Sequence, residues 1–105
     1  MAGVSEQWIE RAHYDISAAK AMLDSRHYLY VAFRCQQSIE KMLKAVITKR
    51  TIEFPPRIHN LVRLAETASL ELTEEQDIFL RKLSVFYIKA RYPEEIERLS
   101  AKMNF

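Results

Sequence analysis

The stretch from Tyr28 to Ile47 reads YLYVAFRCQQSIEKMLKAVI. Val31, Ala32, Cys35, Ile39, Met42, Leu43 and Val46 recur along it at intervals of three and four. That is the period of one face of a helix. No glycine or proline interrupts the run, so the spacing predicts a helix from about Tyr28 to Arg50 with that stripe turned inward. The rest of the chain has the same character. It has 105 residues, which fit one domain over 1–105, with a single glycine, Gly3, and three prolines, Pro55, Pro56 and Pro93. A β-sandwich or a glycine-rich phosphate loop needs glycines that are absent, whereas the abundant Ala, Leu, Ile, Glu, Lys and Arg favour long helices. An all-α domain with one core is therefore expected.

Upstream, Trp8, Ala12, Ile16, Ala19 and Leu23 make one apolar stripe on a helix from about Ser5 to Ser25, with Ser5 as N-cap. The short turn at Arg26–His27 predicts antiparallel packing of these two helices. Downstream, Pro55 makes Ile52–Ile58 a loop. A third helix follows from His59 or Asn60 to about Ser69, with Asn60 as a cap and Leu61, Leu64, Ala65 and Ala68 inward. Thr73-Glu-Glu-Gln76 matches a capping box and starts a fourth, with Phe79, Leu80, Leu83, Phe86, Tyr87 and Ala90 on its buried face. Pro93, followed by Glu94 and Glu95, fits the first turn of a short fifth helix.

Net charge is +2, unevenly placed. Between Arg34 and Arg63 there are seven basic residues and only two acids, Glu40 and Glu53, a local excess that can attract phosphate or an acidic partner. Arg34, Gln37, Lys41 and Lys44 form a polar stripe beside the core stripe of the second helix, and Glu40 can pair with Lys44. Spacing alone favours an ordinary solvated face there; the functional alternative is a cationic groove for phosphate or RNA. Placement makes His59 a residue bonded to a nearby helix and locking its loop, or a polar cleft residue. Tyr87, Arg91 and Tyr92 close the fourth helix, where Arg91 complements the helix dipole or contacts an anion. Cys35 is the only cysteine, so an internal disulfide is excluded and a buried thiol in a reducing cytoplasm is expected. No histidine pair or cysteine set has metal-ligand spacing, so neither a metal nor a cofactor is expected. The amino terminus has no apolar signal core, and no stretch approaches a membrane span.

Four segments together carry a resemblance. They are Trp8–Ala19 (WIERAHYDISAA), Tyr28–Ile47, His59–Leu64 (HNLVRL) and Tyr87–Pro93 (YIKARYP), and QQSIEKMLKA within the second is the most specific. In this order they resemble the HEPN family, specifically the small proteins often encoded beside a minimal nucleotidyltransferase. The resemblance implies an up-and-down bundle of four to five helices, usually a homodimer. It maps the family's polar cleft onto Gln37, Glu40, Lys41, Lys44, His59 and Arg91, with Tyr87 and Tyr92 nearby. There is a departure. Nuclease members carry Arg, four to six residues, then His; after Arg91 those positions hold Ile96, Glu97 and Arg98, and no other arginine here has a histidine at that spacing. The paired Arg and His would supply phosphate stabilisation and 2′-hydroxyl chemistry, so their absence argues against catalysis, and no catalytic residue is assigned. The last helix is short for the family, which is compatible with a natural protein extending past Phe105.

The expected function is thus a cytoplasmic, non-catalytic homodimer that partners a minimal nucleotidyltransferase, in a toxin–antitoxin-like module, with a cleft for a nucleotide or RNA. The alternatives are a ribonuclease toxin with a non-standard site, using Arg91 and His59, and a structural dimer whose cleft is a satisfied hydrogen-bond network.

Overall fold

A computed structural model describes residues 3–51 and 54–89. Among them are four helices and no strand: α1 (Val4–Asp24), α2 (Tyr28–Thr51), α3 (Leu61–Thr67) and α4 (Glu74–Lys89). The expected fifth helix, together with Ala90, Arg91 and Tyr92, lies outside the described residues.

α2 is the central element. α1 packs on it from one side, α3 and α4 pack on it from another and on each other, and α1 touches neither α3 nor α4 among the described residues. The short connection from α1 to α2 closes as a Schellman turn. His27 N–H donates to the Met22 carbonyl at 2.8 Å and Arg26 N–H to that of Leu23 at 3.0 Å. Arg26 takes the left-handed conformation this turn requires, with φ 63°. The resulting antiparallel pair puts Trp8 beside Lys44, Ala12 beside Ser38 and Asp15 beside Lys41.

Among the described residues α1 meets a single helix, and one narrow seam of it is covered. Ala12, Asp15 and Ala19 are buried, while Ile16 and Leu23, expected inward, are 46% and 51% exposed. Ala12 and Ala19 thus lie inward as expected, and the seam departs from the expected stripe at Ile16, where the preceding residue, the carboxylate Asp15, is buried instead, and at Leu23. Ser5 is not the cap; the helix starts at Val4 with Gly3 as N-cap, and the Ser5 hydroxyl donates to Glu6 instead. On α2, Met42 is exposed rather than in the core.

Asn60 caps α3 as expected, its Oδ1 accepting from Arg63 N–H at 3.0 Å. Leu61, Leu64, Ala65 and Ala68 are all buried. α3 ends at Thr67, earlier than expected, because Ser69 turns left-handed at φ 59° and closes a second Schellman turn through Leu70 N–H to the Ala65 carbonyl. The capping box forms reciprocally, with Thr73 N–H to Gln76 Oε1 at 3.0 Å and Gln76 N–H to Thr73 Oγ1 at 3.1 Å. Leu80 and Leu83 join Leu43, Ile47 and the α3 leucines in the core. Each such aliphatic side chain contributes about 1.5–3 kcal/mol by leaving water. Phe79, expected inward, is 55% exposed. It lines an apolar groove of about 380 Å³ together with Ile39, Leu43, Leu72 and Leu80 among others.

Candidate functional site

α2 carries polar residues on two of its covered faces, and the structure sorts them into two clusters. The first lies along the seam with α1. Asp15 is only 1% exposed. Arg34 and Lys41 are two turns apart and share a face of α2, with Gln37 between them. Arg34 Nη1 donates to Asp15 Oδ1 at 3.4 Å and to Gln37 Oε1 at 3.2 Å, and Lys41 Nζ donates to Asp15 Oδ2 in a short contact. A buried carboxylate is tolerated only with such partners. The cluster carries two positive charges against one negative. Its cations keep access to solvent, with side-chain exposures of 35% for Arg34 and 25% for Lys41. Beneath it, Ser38 Oγ donates to the Ala12 carbonyl at 2.8 Å, tying the two helices together.

The second cluster is centred on Glu40, which faces away from the first. Its Oε2 accepts from Lys44 Nζ at 3.1 Å. Its Oε1 lies 2.9 Å from His59 Nδ1 and 3.4 Å from Gln36 Nε2. Gln36 Nε2 also donates to the His59 carbonyl at 3.0 Å. An ionised carboxylate only accepts, so His59 Nδ1 carries the proton and Nε2 is left without one unless the ring is charged. Two acceptors around the Gln36 amide nitrogen fix its orientation, and its buried Oε1 has no partner among the described residues. Lys44 is further enclosed by the Trp8 ring, 5.6 Å from its Nζ, whose other neighbour is Arg11 at 5.8 Å. The His59 ring leans on Tyr87 at 5.5 Å, and Tyr87 stacks on Phe33 at 5.2 Å.

Of the residues named from the sequence, Glu40, Lys44, His59 and Tyr87 come together in the second cluster, and Gln37 and Lys41 in the first. Arg91 and Tyr92 lie outside the described residues. The solvated face expected along α2 is corrected at Lys44, which is buried because α1 brings Trp8 over it. His59 fits the loop-locking role: side chain and carbonyl both bond to α2. Sequence reasoning missed Asp15, Gln36, Phe33 and Trp8 as members of these clusters. For Asp15 a signal existed, since it continues the spacing of Trp8, Ala12, Ala19 and Met22. Cys35 is half-buried, and burial pushes its thiol pKa up. Among the described residues no three His, Cys, Asp or Glu side chains are placed to hold a metal, and no helix is long and apolar enough to cross a membrane.

These features define an all-helical domain with a polar centre built on its middle helix. The chain belongs to the HEPN family: the sequence model of the HEPN domain matches residues 5–103. No curated protein and no solved structure matches the chain.

Proposed function

We propose that this chain is a non-catalytic, homodimeric HEPN protein that partners a minimal nucleotidyltransferase in a toxin–antitoxin-like module, and that its polar cleft binds a nucleotide or another phosphate. The binding part is supported by the cationic seam of α2, where Lys41 is anchored but still reachable by solvent. Lys44 is enclosed by Glu40 and Trp8, so its ammonium is engaged within the protein rather than offered to a ligand. The non-catalytic part is supported by the sequence, in which no arginine is followed by a histidine after four to six residues. Purification of the tagged chain after co-expression with a minimal nucleotidyltransferase tests the proposal. A stable complex of the two is expected, and a chain that never retains the nucleotidyltransferase would overturn the partnership.

One observation favours a second reading, a ribonuclease with a non-standard site. The bond from His59 Nδ1 to Glu40 leaves Nε2 as the basic nitrogen on a side chain 48% exposed, the arrangement a general base uses. RNA cleavage by the purified chain that is lost in His59→Ala selects this reading.

A further inference from the structure

The two clusters differ in what they have left to offer a ligand. Around Glu40 the charges are matched within the protein: Lys44 is enclosed, and its Nζ is committed to Glu40 and Trp8. Around Asp15 they are not. Among the described residues Arg34 donates only from Nη1, to Asp15 and Gln37, and Lys41 only to Asp15. A guanidinium has five N–H donors and an ammonium three, so the described residues use only a minority of the donors on this pair. Along α2 no acid shares their face. The helical neighbours of Arg34 and Lys41 at three and four positions are Tyr30, Val31, Gln37, Ser38, Lys44 and Ala45. Glu40 adjoins Lys41 in sequence but points to the other cluster.

We infer that Asp15, Arg34 and Lys41 form a phosphate subsite, in which the buried Asp15 carboxylate is a positioning residue that sets the two cations as prongs of one clamp. The inference rests on the phosphate-binding part of the proposed function and extends it to Asp15 and Arg34, which lie outside the cleft mapped by family resemblance, whereas Lys41 belongs to that set. The two oxygens of one carboxylate each take one cation, which holds Arg34 and Lys41 side by side without long side chains having to find each other. The entropy of that ordering is met on folding rather than on binding. A phosphoryl group, with several terminal oxygens, accepts from the planar Arg34 fork and from Lys41 at once. Its charge also balances the surplus positive charge of the cluster.

The test measures binding of three phosphate probes to the full chain at low salt, ATP, inorganic tripolyphosphate and a short single-stranded RNA, with a polyglutamate peptide as an acidic control. Arg34→Gln and Lys41→Gln should each weaken binding about tenfold or more, the loss of one charge-assisted contact. Arg34→Lys keeps a partner for Asp15, and hence the fold, but removes the fork; it should still bind more weakly, with unchanged thermal unfolding. Asp15→Asn should also weaken binding although it removes a negative charge, which separates positioning from simple attraction. ATP and tripolyphosphate binding without RNA identifies a free nucleotide as the source of the phosphate, and tighter RNA binding that falls with salt identifies a nucleic-acid backbone; both support the subsite. Wild-type affinity in the Arg34 and Lys41 variants, or tighter binding by Asp15→Asn, overturns the clamp and leaves the parent reading standing. A folded chain that binds none of the three overturns both. Binding of a polyglutamate peptide as tightly as of the phosphate probes overturns the phosphate assignment in favour of an acidic partner.

Discussion

Replacing Glu40 with Gln tests the energetic reading of the second cluster. The side chain keeps its shape and loses its charge. Glu40 and Lys44 side chains are each only 10% exposed, so water cannot replace the missing partner of Lys44. Removing one member of a buried ion pair costs about 3–5 kcal/mol. The Trp8 ring, 5.6 Å from the ammonium, keeps about 0.5–2 kcal/mol of attraction for it and places the expected loss near the lower end, about 3 kcal/mol. That is a large share of the roughly 5–15 kcal/mol that stabilises a domain. At about 4–8 °C per kcal/mol for a domain of this size, melting should fall by roughly 12 °C or more. Urea unfolding followed by far-UV circular dichroism measures the change. The double variant Glu40→Gln with Lys44→Met should recover at least half of the loss, because no unpaired ammonium remains buried. A loss below about 1 kcal/mol for the single variant would refute the reasoning, since that is the magnitude of a solvent-screened surface pair.

Other expectations follow from single contacts. Arg26→Gly and Ser69→Gly each relieve a left-handed residue that carries a Cβ, and each should raise stability by about 0.5–1 kcal/mol, additively, in the same unfolding experiment; unchanged stability counts against the two Schellman turns. Thr73→Ala removes the side-chain half of the capping box and should cost about 1 kcal/mol. Ser38→Ala leaves the Ala12 carbonyl without its 2.8 Å donor between α1 and α2 and should cost about 1–2 kcal/mol. Burial raises the Cys35 pKa, so less thiolate is present at a given pH than for a free thiol. Iodoacetamide should therefore alkylate the native chain more slowly than the urea-unfolded chain at mildly alkaline pH, and equal rates would contradict that placement.

What could be read from the sequence was what depends on near neighbours along the chain. The Thr73–Gln76 box and the Asn60 cap are contacts between residues three apart, and both form. The Glu40–Lys44 pair is likewise local. The apolar residues of α3 were legible because that short helix is covered on most of its surface. α1 was harder. Among the described residues it is covered by α2 alone, and hydrophobicity selected Ile16 where the packed position is Asp15, whose burial depends on Arg34 and Lys41 brought from another helix. The enclosure of Lys44 has the same origin, since Trp8 lies 36 positions away in the chain and meets it only through antiparallel packing. Phe79 and Met42 carry apolar side chains at helical spacing, yet no helix among the described residues covers them. Periodicity identifies a face; which face is covered is decided by the neighbours.

The most direct measurement on the central claim is an RNA-cleavage assay on the purified protein, with and without a co-expressed minimal nucleotidyltransferase, and with Arg91→Ala and His59→Ala as controls. A non-catalytic binding partner predicts no cleavage under either condition and a stable complex between the two proteins. Cleavage that disappears in either variant would contradict it, and would mean that this HEPN chain performs the chemistry without the spaced histidine.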